Sequence, residues 1–297
     1  MVDYRPDKSK MAKSFAAAAS QYDDVAVLQR QTSDELLDRL SLMKIRPEVV
    51  LDLGAGTGRN LSLLQQRYPD ARLMAMDIAP GMLQQAHKRY RRDLGLSRWL
   101  PGKNKLELVA GDAESLPLAD NSVDLVFANL ALQWCQPQIS FREIQRIMRP
   151  DGLLMFTSLG PDTLTELRQA WATVDEYPHV NVFYDMHDVG DAMTVSGLQD
   201  CVLDVEPYTL TYPTPMAMMR DLKILGAHNV NEGRRRGLTG KNLMKQVVAA
   251  YEQFRTDELI PASYEVVFGH GWKLPQQGQK QAADGSVHIP MEEIQRR

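Results

Sequence analysis

The sequence predicts an α/β fold in which a largely parallel sheet is covered by helices on both faces. Two observations carry this prediction. Short apolar runs alternate with stretches of helical periodicity from residue 48 onward, and several of these runs hold three or four consecutive apolar residues, as in 49–51, 73–76 and 125–128. Such runs are typical of strands that are buried on both faces. Their alternation with helices indicates parallel strands joined by crossover helices.

Each element follows from the local pattern. Residues 9–43 predict two helices, because apolar side chains recur there at helical spacing, and Pro47 marks the break. Further helices are expected between the early strands, over residues 162–175 and 187–197, and over most of residues 214–257. The predicted strands cover residues 49–53, 71–76, 106–110, 123–128, 153–157, 201–212 and 262–270.

Length and composition narrow the class of protein. The 297 residues exceed the ~150 of an average domain, so two units, or one unit with an insertion, are expected. A net charge of −4 argues against a protein that coats nucleic acid. Cys135 and Cys201 form no CxxC pair, which argues against a metal site and favours a reducing, cytoplasmic compartment. No apolar run approaches the ~18 residues of a membrane span, so no membrane partner is expected.

A glycine-rich turn, Asp52–Gly58, follows the first strand. Its glycines let the backbone approach a ligand at a helix N-terminus, although a tight connection alone would also need them. The dinucleotide fingerprint places its third glycine where Arg59 stands, and Asp52 precedes the first glycine. Both departures argue against NAD. No Lys-Ser/Thr pair follows, which argues against a nucleoside triphosphate.

Carboxylates follow the next two strands. Asp77 stands near the offset at which a carboxylate accepts hydrogen bonds from ribose hydroxyls, and Asp112 follows the third strand, where it can face an adenine amino group. Taken singly, they would be a solvated strand end and a turn residue. Because they follow consecutive strands, they are expected to share the sheet edge where open α/β sheets bind ligands.

Residues 45–160 resemble class I S-adenosylmethionine (SAM) methyltransferases. The resemblance lies in Asp52–Gly58, Asp77-Ile78, Gly111–Glu114 and Phe127–Leu130. It implies a Rossmann-like seven-stranded sheet, SAM as cofactor and S-adenosylhomocysteine as product. The glycine loop would hold the methionine part of SAM, Asp77 the ribose, and Asp112 the adenine amino group. The implied cofactor-binding residues are Tyr22, Asp52, Gly54, Gly56, Gly58, Asp77, Ile78, Met82, Asp112, Ala113, Asn129 and Leu130.

Both flanks resemble a narrower family, the malonyl-[acyl-carrier protein] O-methyltransferases of biotin synthesis. The matching segments are Phe15–Asp23, Leu28–Gln31, Gly160–Arg168, Asp185–Asp191, Gly226–Asn229 and Tyr264–Trp272. The family implies methylation of the free carboxylate of a malonyl thioester, on acyl carrier protein or CoA. No catalytic residue is assigned, because a carboxylate of pKa ~4 is already ionised and needs no general base. Two alternatives stay open: methylation of another small carboxylate or metabolite, and a complex I assembly or hydroxylase-like protein, whose family shares much of the C-terminal half.

Four residues are candidates for the substrate, and each has a structural alternative. Trp134 could line the substrate pocket or belong to the hydrophobic core. His187 and His228 lie in family-like motifs, although a lone histidine is more often structural. Arg220 could pair with the malonyl carboxylate or lie on a solvated helix face. Tyr22 could touch the cofactor carboxylate or simply pack between helices.

The charge pattern and the resemblance together predict the organisation of the chain. Residues 215–255 carry eight basic and three acidic side chains, which could steer an acidic carrier protein to the pocket or form an ordinary charged surface. The predicted divisions are an N-terminal helical lid (1–44), a SAM-binding core (45–213), a helical insertion that caps the substrate between strands six and seven (214–260), a final strand (261–274) and a tail expected to be disordered (275–297).

Overall fold

A mixed sheet of seven strands lies between two layers of helices in the computed structural model, which describes residues 7–95, 106–227 and 240–275. The strands are β1 (Val49–Leu53), β2 (Arg72–Asp77), β3 (Leu106–Ala110), β4 (Val123–Ala128), β5 (Met148–Leu159), β6 (Gln199–Tyr212) and β7 (Ile260–Lys273). The α-helices of these residues are α1 (Lys8–Ala18), α2 (Tyr22–Val25), α3 (Val27–Leu40), α4 (Arg59–Arg67), α5 (Pro80–Leu94), α6 (Pro137–Ile147), α7 (Thr165–Ala172), α8 (Met186–Val195), α9 (Pro215–Ile224) and α10 (Lys241–Tyr251).

The strand order is β3-β2-β1-β4-β5-β7-β6. Strands β1 to β5 pair in parallel, whereas β7 lies antiparallel to both of its neighbours. Helices α9 and α10 occupy the connection between β6 and β7. The predicted α/β architecture, with seven strands and a helical insertion before the last one, is confirmed.

The two faces of the sheet are covered by different helices. Neighbouring strand residues point to opposite faces, so Val50 packs with α3, α4 and α5, while Leu51 packs with α6 and α8. All five residues of β1 are buried. Burial on both faces is the reason that these strands read as continuous apolar runs.

Several elements differ in their bounds from the sequence prediction. The N-terminal region holds three helices rather than two, because Ala26 leaves the helical conformation between α2 and α3. Strand β5 starts at Met148, ahead of the predicted residue 153, because the strand continues through a bulge in which Asp151 has φ +62°. His228, the arginines 234–236 and all of the predicted tail except Pro275 lie outside the described residues.

The topology brings several connections to one edge of the sheet. Because β1 to β5 run in parallel, the segments that follow their carboxyl ends meet there. Helix α9 crosses toward α1, where the Ser14 hydroxyl donates to the carbonyl oxygen of Gly226 at 3.0 Å. Helices from both ends of the chain therefore border this edge. In the described part of the chain, no helix combines the length and apolarity needed to cross a membrane.

Candidate active site

A cleft of about 1480 Å³, which includes the part open to solvent, runs along the carboxyl ends of β1, β2 and β4. Its lining includes side chains from α1, α2 and α3 and side chains from β6 and β7. Helix α9 contributes Leu222 and Leu225 to the lining. The cleft therefore has one end at the glycine loop, which we call the cofactor end. Its other part, beside Leu210 and Tyr212 of β6 and Tyr264 of β7, we call the second half.

The glycine loop turns tightly against the neighbouring strand. The backbone N–H of Gly54 donates to the carbonyl oxygen of Met76 at 2.8 Å, and Gly54 has φ +72°. A Cβ atom on Gly54 would lie 2.3 Å from the Cβ of Ala131, whereas a Cβ on Gly56 would enter open space. Gly54 and Gly56 line the cleft, so the loop leaves room beside the backbone for a ligand.

Gly58 has a different role from the two glycines before it. It does not line the cleft, and its φ is +76°. A Cβ on Gly58 would lie 2.7 Å from the Cα of Ala86 in α5. Its missing side chain lets α4 and α5 approach each other, so the structure gives it a packing role rather than a ligand contact.

Asp77 holds the loop from the end of β2. One carboxylate oxygen accepts the N–H of Gly56 at 2.9 Å, and the other accepts the N–H of Ala79 at 2.8 Å. Burial raises the pKa of Asp77, and these two hydrogen bonds act in the opposite direction. Each oxygen keeps a second lone pair, and the side chain lines the cleft. Asp77 can therefore accept hydrogen bonds from ligand hydroxyls while it holds the loop.

Asp52 lies below the loop and does not line the cleft. It is 1% exposed, and neither carboxylate oxygen has a hydrogen-bond partner among the residues that the structure describes. Burial, helped by the charge of Asp77, raises the pKa of Asp52 to about 7. The structure thus places Asp52 as a buried support of the glycine loop and not as a surface of the cleft.

This raised pKa makes the stability of the ligand-free protein depend on pH. The unfolded chain releases the Asp52 proton near pH 3.8, but the folded chain retains it until about pH 7. The free energy of unfolding therefore falls as pH rises between these values and levels off above them. We expect Asp52→Asn to raise the melting temperature at pH 8 by about 3 °C or more relative to wild type, and by less at pH 5. An equal difference at both pH values in thermal melts would contradict the assignment.

Helix α1 borders the cofactor end of the cleft beside the loop that follows β3. The Lys8 ammonium lies 3.0 Å from a carboxylate oxygen of Asp112 and 3.1 Å from Glu114. The Phe15 ring meets the Trp134 ring edge-on, with centroids 5.5 Å apart. The apolar lining of this end also includes Ile78, Met82 and Ala113. An apolar slot with a carboxylate at its end fits a planar ring that carries an amino group.

Asn129 joins α3 to the sheet at the floor of the cleft. Its amide oxygen accepts from the hydroxyls of Thr32 at 2.9 Å and Thr157 at 2.8 Å. Its amide nitrogen donates to the carbonyl oxygen of Gln29 at 2.9 Å. Leu130 has φ +48° and donates its N–H to Thr157 at 2.8 Å. The floor is therefore held rigidly before any ligand binds.

Known proteins are similar to this chain over most of its length. A methyltransferase domain family matches residues 51–156. Proteins of Nitrosospira multiformis and Laribacter hongkongensis are 48% and 46% identical over 91% and 94% of this chain, with the same shares of their own lengths. A Methylovorus protein is 47% identical over 91% of this chain and 90% of its own length. All three are named malonyl-[acyl-carrier protein] O-methyltransferase. The chain belongs to the malonyl-[acyl-carrier protein] O-methyltransferase family.

Solved structures show the fold of this O-methyltransferase. The YcgJ protein of Bacillus subtilis has a TM-score of 0.54 and 16% identity, and covers 81% of this chain and 98% of its own. A Bacillus halodurans protein has a TM-score of 0.56 and 14% identity, and covers 82% of this chain and 100% of its own. At such identities the likeness concerns the fold alone.

The residues at the cofactor end of this O-methyltransferase fit SAM. Open space faces Gly56, Asp77 offers acceptors at the edge of β2, and Asp112 closes an apolar slot. These features match, in order, an amino-acid chain, a ribose and an adenine. The enzyme is a SAM-dependent methyltransferase, as its family indicates. Tyr22 also lines the cleft, and burial followed by the charge of Asp77 raises its pKa.

Of the four residues predicted for the substrate of this O-methyltransferase, His228 lies outside the described residues. Among the other three, Trp134 alone lines the cleft, and it is also packed against Phe15. The His187 side chain is 86% exposed, because α8 turns Val189 toward the core. Arg220 is exposed on α9 and does not line the cleft.

Sequence reasoning missed several residues of the cleft. His179 lines it, stacks on the Trp171 ring at 3.5 Å between centroids, and shares a 2.7 Å hydrogen bond with Asp175. No sequence pattern marks His179, because its neighbours come together only on folding. Tyr264 could have been found, since it lies in a family-like motif. The other missed lining residues include Lys8, Met11, Phe15, Gln29, Gln133, Asn181 and Tyr212.

Proposed function

We propose that the protein transfers the methyl group of SAM to the free carboxylate of a malonyl thioester, on acyl carrier protein or CoA, as an early step of biotin synthesis. The observation that carries the proposal is one continuous cleft, in which an end that fits SAM leads into a largely apolar second half. The relatives of this chain are named for the same reaction. Cys135 and Cys201 are both free, which supports a cytoplasmic location.

The chemistry asks the protein for alignment and exclusion of water. When bound, SAM supplies a methyl group on a positively charged sulfur. The reaction forms a bond between this methyl carbon and a carboxylate oxygen, and the electron pair of the broken carbon–sulfur bond stays on sulfur. The carboxylate is ionised at neutral pH, so no side chain has to remove a proton. Rate then comes from holding oxygen, carbon and sulfur in line at a site closed to water.

The lining supports a site that orients the carboxylate without neutralising it. Among the described residues of the cleft, Lys8 and His179 are the basic side chains, and Lys8 is already paired with two carboxylates. The other donors are neutral, such as the phenol of Tyr22. Strong pairing with a cation would stabilise the attacking carboxylate before reaction and add nothing to the rate of transfer. We propose that neutral donors orient it.

The orientation of the substrate follows from the position of the cofactor end in the cleft. Tyr212 and Tyr264 line its second half. Burial, followed by the charge of Asp221, raises the pKa of Tyr212 to about 12. Burial also raises the pKa of Tyr264, with Asp221 and Glu166 among the smaller causes. Both phenols therefore stay neutral. Because the methyl donor lies at the cofactor end, the malonyl carboxylate would turn toward that end and leave the thioester arm beside the two tyrosines.

The thioester arm would then leave the cleft beside α9 and α10. Exposed cations on these helices are Arg220, Lys223, Lys241 and Lys245. An acidic carrier protein would be attracted to this surface during encounter. We expect Lys241→Glu/Lys245→Glu to lower kcat/KM for malonyl carrier protein about 10-fold at low salt, and to leave malonyl-CoA nearly unaffected.

The matched control for this prediction is Lys44→Glu/Arg46→Glu. It makes the same change in net charge on exposed residues just before β1, at the opposite edge of the sheet. We expect it to leave both substrates nearly unaffected. Equal losses in the two double variants, or equal losses for the two substrates, would contradict docking on α9 and α10.

The proposed reaction is tested with purified protein, SAM and malonyl carrier protein. Mass spectrometry should detect a methyl ester on the malonyl group. Acetyl carrier protein, which has no free carboxylate, should gain no methyl group. Absence of the malonyl methyl ester under conditions in which free small carboxylic acids are methylated would reject the substrate and favour the alternative methyltransferase.

A further inference from the structure

Residues 160–166 follow β5 and contribute Thr163 and Leu164 to the lining of the cleft. They run alongside β7, although about 100 positions separate the two segments in the chain. The N–H of Gly160 donates to the carbonyl oxygen of Glu265 at 2.9 Å, and the N–H of Leu164 donates to that of Ser263 at 2.6 Å. The two segments are therefore joined by backbone hydrogen bonds outside the regular sheet.

Two carboxylates strengthen this junction from opposite sides. Glu265 accepts the N–H of Asp162 at 2.8 Å. Glu166, which is 6% exposed, accepts the N–H of Ser263 at 3.2 Å and also its hydroxyl. A Cβ on Gly160 would lie 2.5 Å from the Glu265 carboxylate, so the carboxylate fits here because residue 160 has no side chain. We call Glu166 and Glu265, with the groups that they bind, the crossed-carboxylate clamp.

The clamp holds an unfavourable backbone conformation at the cleft. Leu164 has φ +54°, in the left-handed region that leucine rarely adopts. Leu164 and Thr163 both line the cleft and are buried. A strained residue of this kind persists where its surroundings determine it, and here the bonds to β7 do so. Glu265 itself does not line the cleft.

We propose, on the basis of the methyl transfer proposed above, that Glu265 is a positioning residue that fixes residues 160–164 as the wall for the acyl thioester. Its carboxylate acts through the N–H of Asp162, which precedes the lining residues Thr163 and Leu164, and Glu265 itself lies outside the lining of the cleft. Its loss lets the wall move, so the acyl substrate binds less tightly. The cofactor end, built from the loops after β1, β2 and β3, keeps its geometry.

The test compares Glu265→Ala with Glu265→Gln. Glutamine retains a carbonyl oxygen that can accept the Asp162 N–H, whereas alanine removes the acceptor. We expect the alanine variant to raise KM for malonyl carrier protein about 10-fold with less than a twofold change in kcat and in SAM affinity. The glutamine variant should restore KM to within about twofold of wild type. Glu176→Ala, which removes an exposed carboxylate between α7 and α8, should change none of these values.

Hydrogen exchange by mass spectrometry tests the clamp without any substrate. In Glu265→Ala, peptides that cover residues 160–164 should exchange at least 10-fold faster, while those that cover Gly54 and Asp77 remain as in wild type. Unchanged exchange of residues 160–164 would overturn the positioning role. A loss of SAM affinity as large as the rise in KM for malonyl carrier protein would overturn it as well. If wild type made no malonyl methyl ester but the exchange result held, the substrate proposal would fail and the clamp would stand.

Discussion

Asp77→Ala should weaken SAM binding by at least about 30-fold in calorimetry. The variant loses the acceptor expected for the ribose hydroxyls. It also frees the N–H groups of Gly56 and Ala79, which Asp77 holds at 2.9 and 2.8 Å. Loss of a hydrogen bond to a charged group costs about 2 kcal/mol, and here the loop that shapes the ligand site is released as well. The structure therefore raises the expected effect above that of a ligand contact alone.

Asp77→Asn separates these two contributions. Its amide oxygen can still accept one of the two backbone N–H groups, but its amide nitrogen cannot accept the other. We expect an affinity between those of wild type and Asp77→Ala, with a melting temperature closer to wild type. SAM affinity of Asp77→Ala equal to that of wild type would remove Asp77 from the cofactor site.

Gly54→Ala should abolish measurable SAM binding and lower the melting temperature. The added Cβ would lie 2.3 Å from the Cβ of Ala131, so the segment that carries Asn129 and Leu130 has to move. That segment is the floor of the cleft, and its hydrogen bonds to Thr157 would be disturbed. A backbone φ of +72° adds strain for any side chain.

The double variant Gly54→Ala/Ala131→Gly isolates the collision from the strain. With the Ala131 methyl group removed, the nearest atom to the new Cβ is the residue 131 Cα at 3.6 Å, an ordinary contact distance. We expect thermal melts to recover most of the lost stability, leaving about 1 kcal/mol for the positive φ. Failure of the second change to restore any stability would contradict the close approach of the two segments.

Patterns along the chain predicted much of the cofactor end. The turn from Asp52 to Gly58, the strand that ends at Asp77 and the carboxylate at Asp112 share one sheet edge, because parallel strands present their carboxyl ends together. The same patterns could not tell which side chains of a motif face the cleft. Asp52 and Gly58 stand in the glycine loop, yet Asp52 lies beneath it and Gly58 lets two helices approach each other.

The substrate half was harder to predict, because its residues come from segments that no local period connects. His187 stands in a family-like motif but faces solvent, while His179, without any motif, lines the cleft. Burial of α8 on the far face of the sheet turns the first histidine outward. Stacking on Trp171 holds the second in place.

The sequence by itself determined the strands, most helices and the chemistry of the turns, because hydrophobic period and glycine conformation act over a few residues. Only the tertiary structure decided which charged groups meet. Lys8 reaches Asp112 across 104 positions of the chain, and Glu265 reaches Asp162 across 103. Such contacts depend on the sheet order and on the paths of α1 and β7 around it, and these are set by the packing of the whole chain.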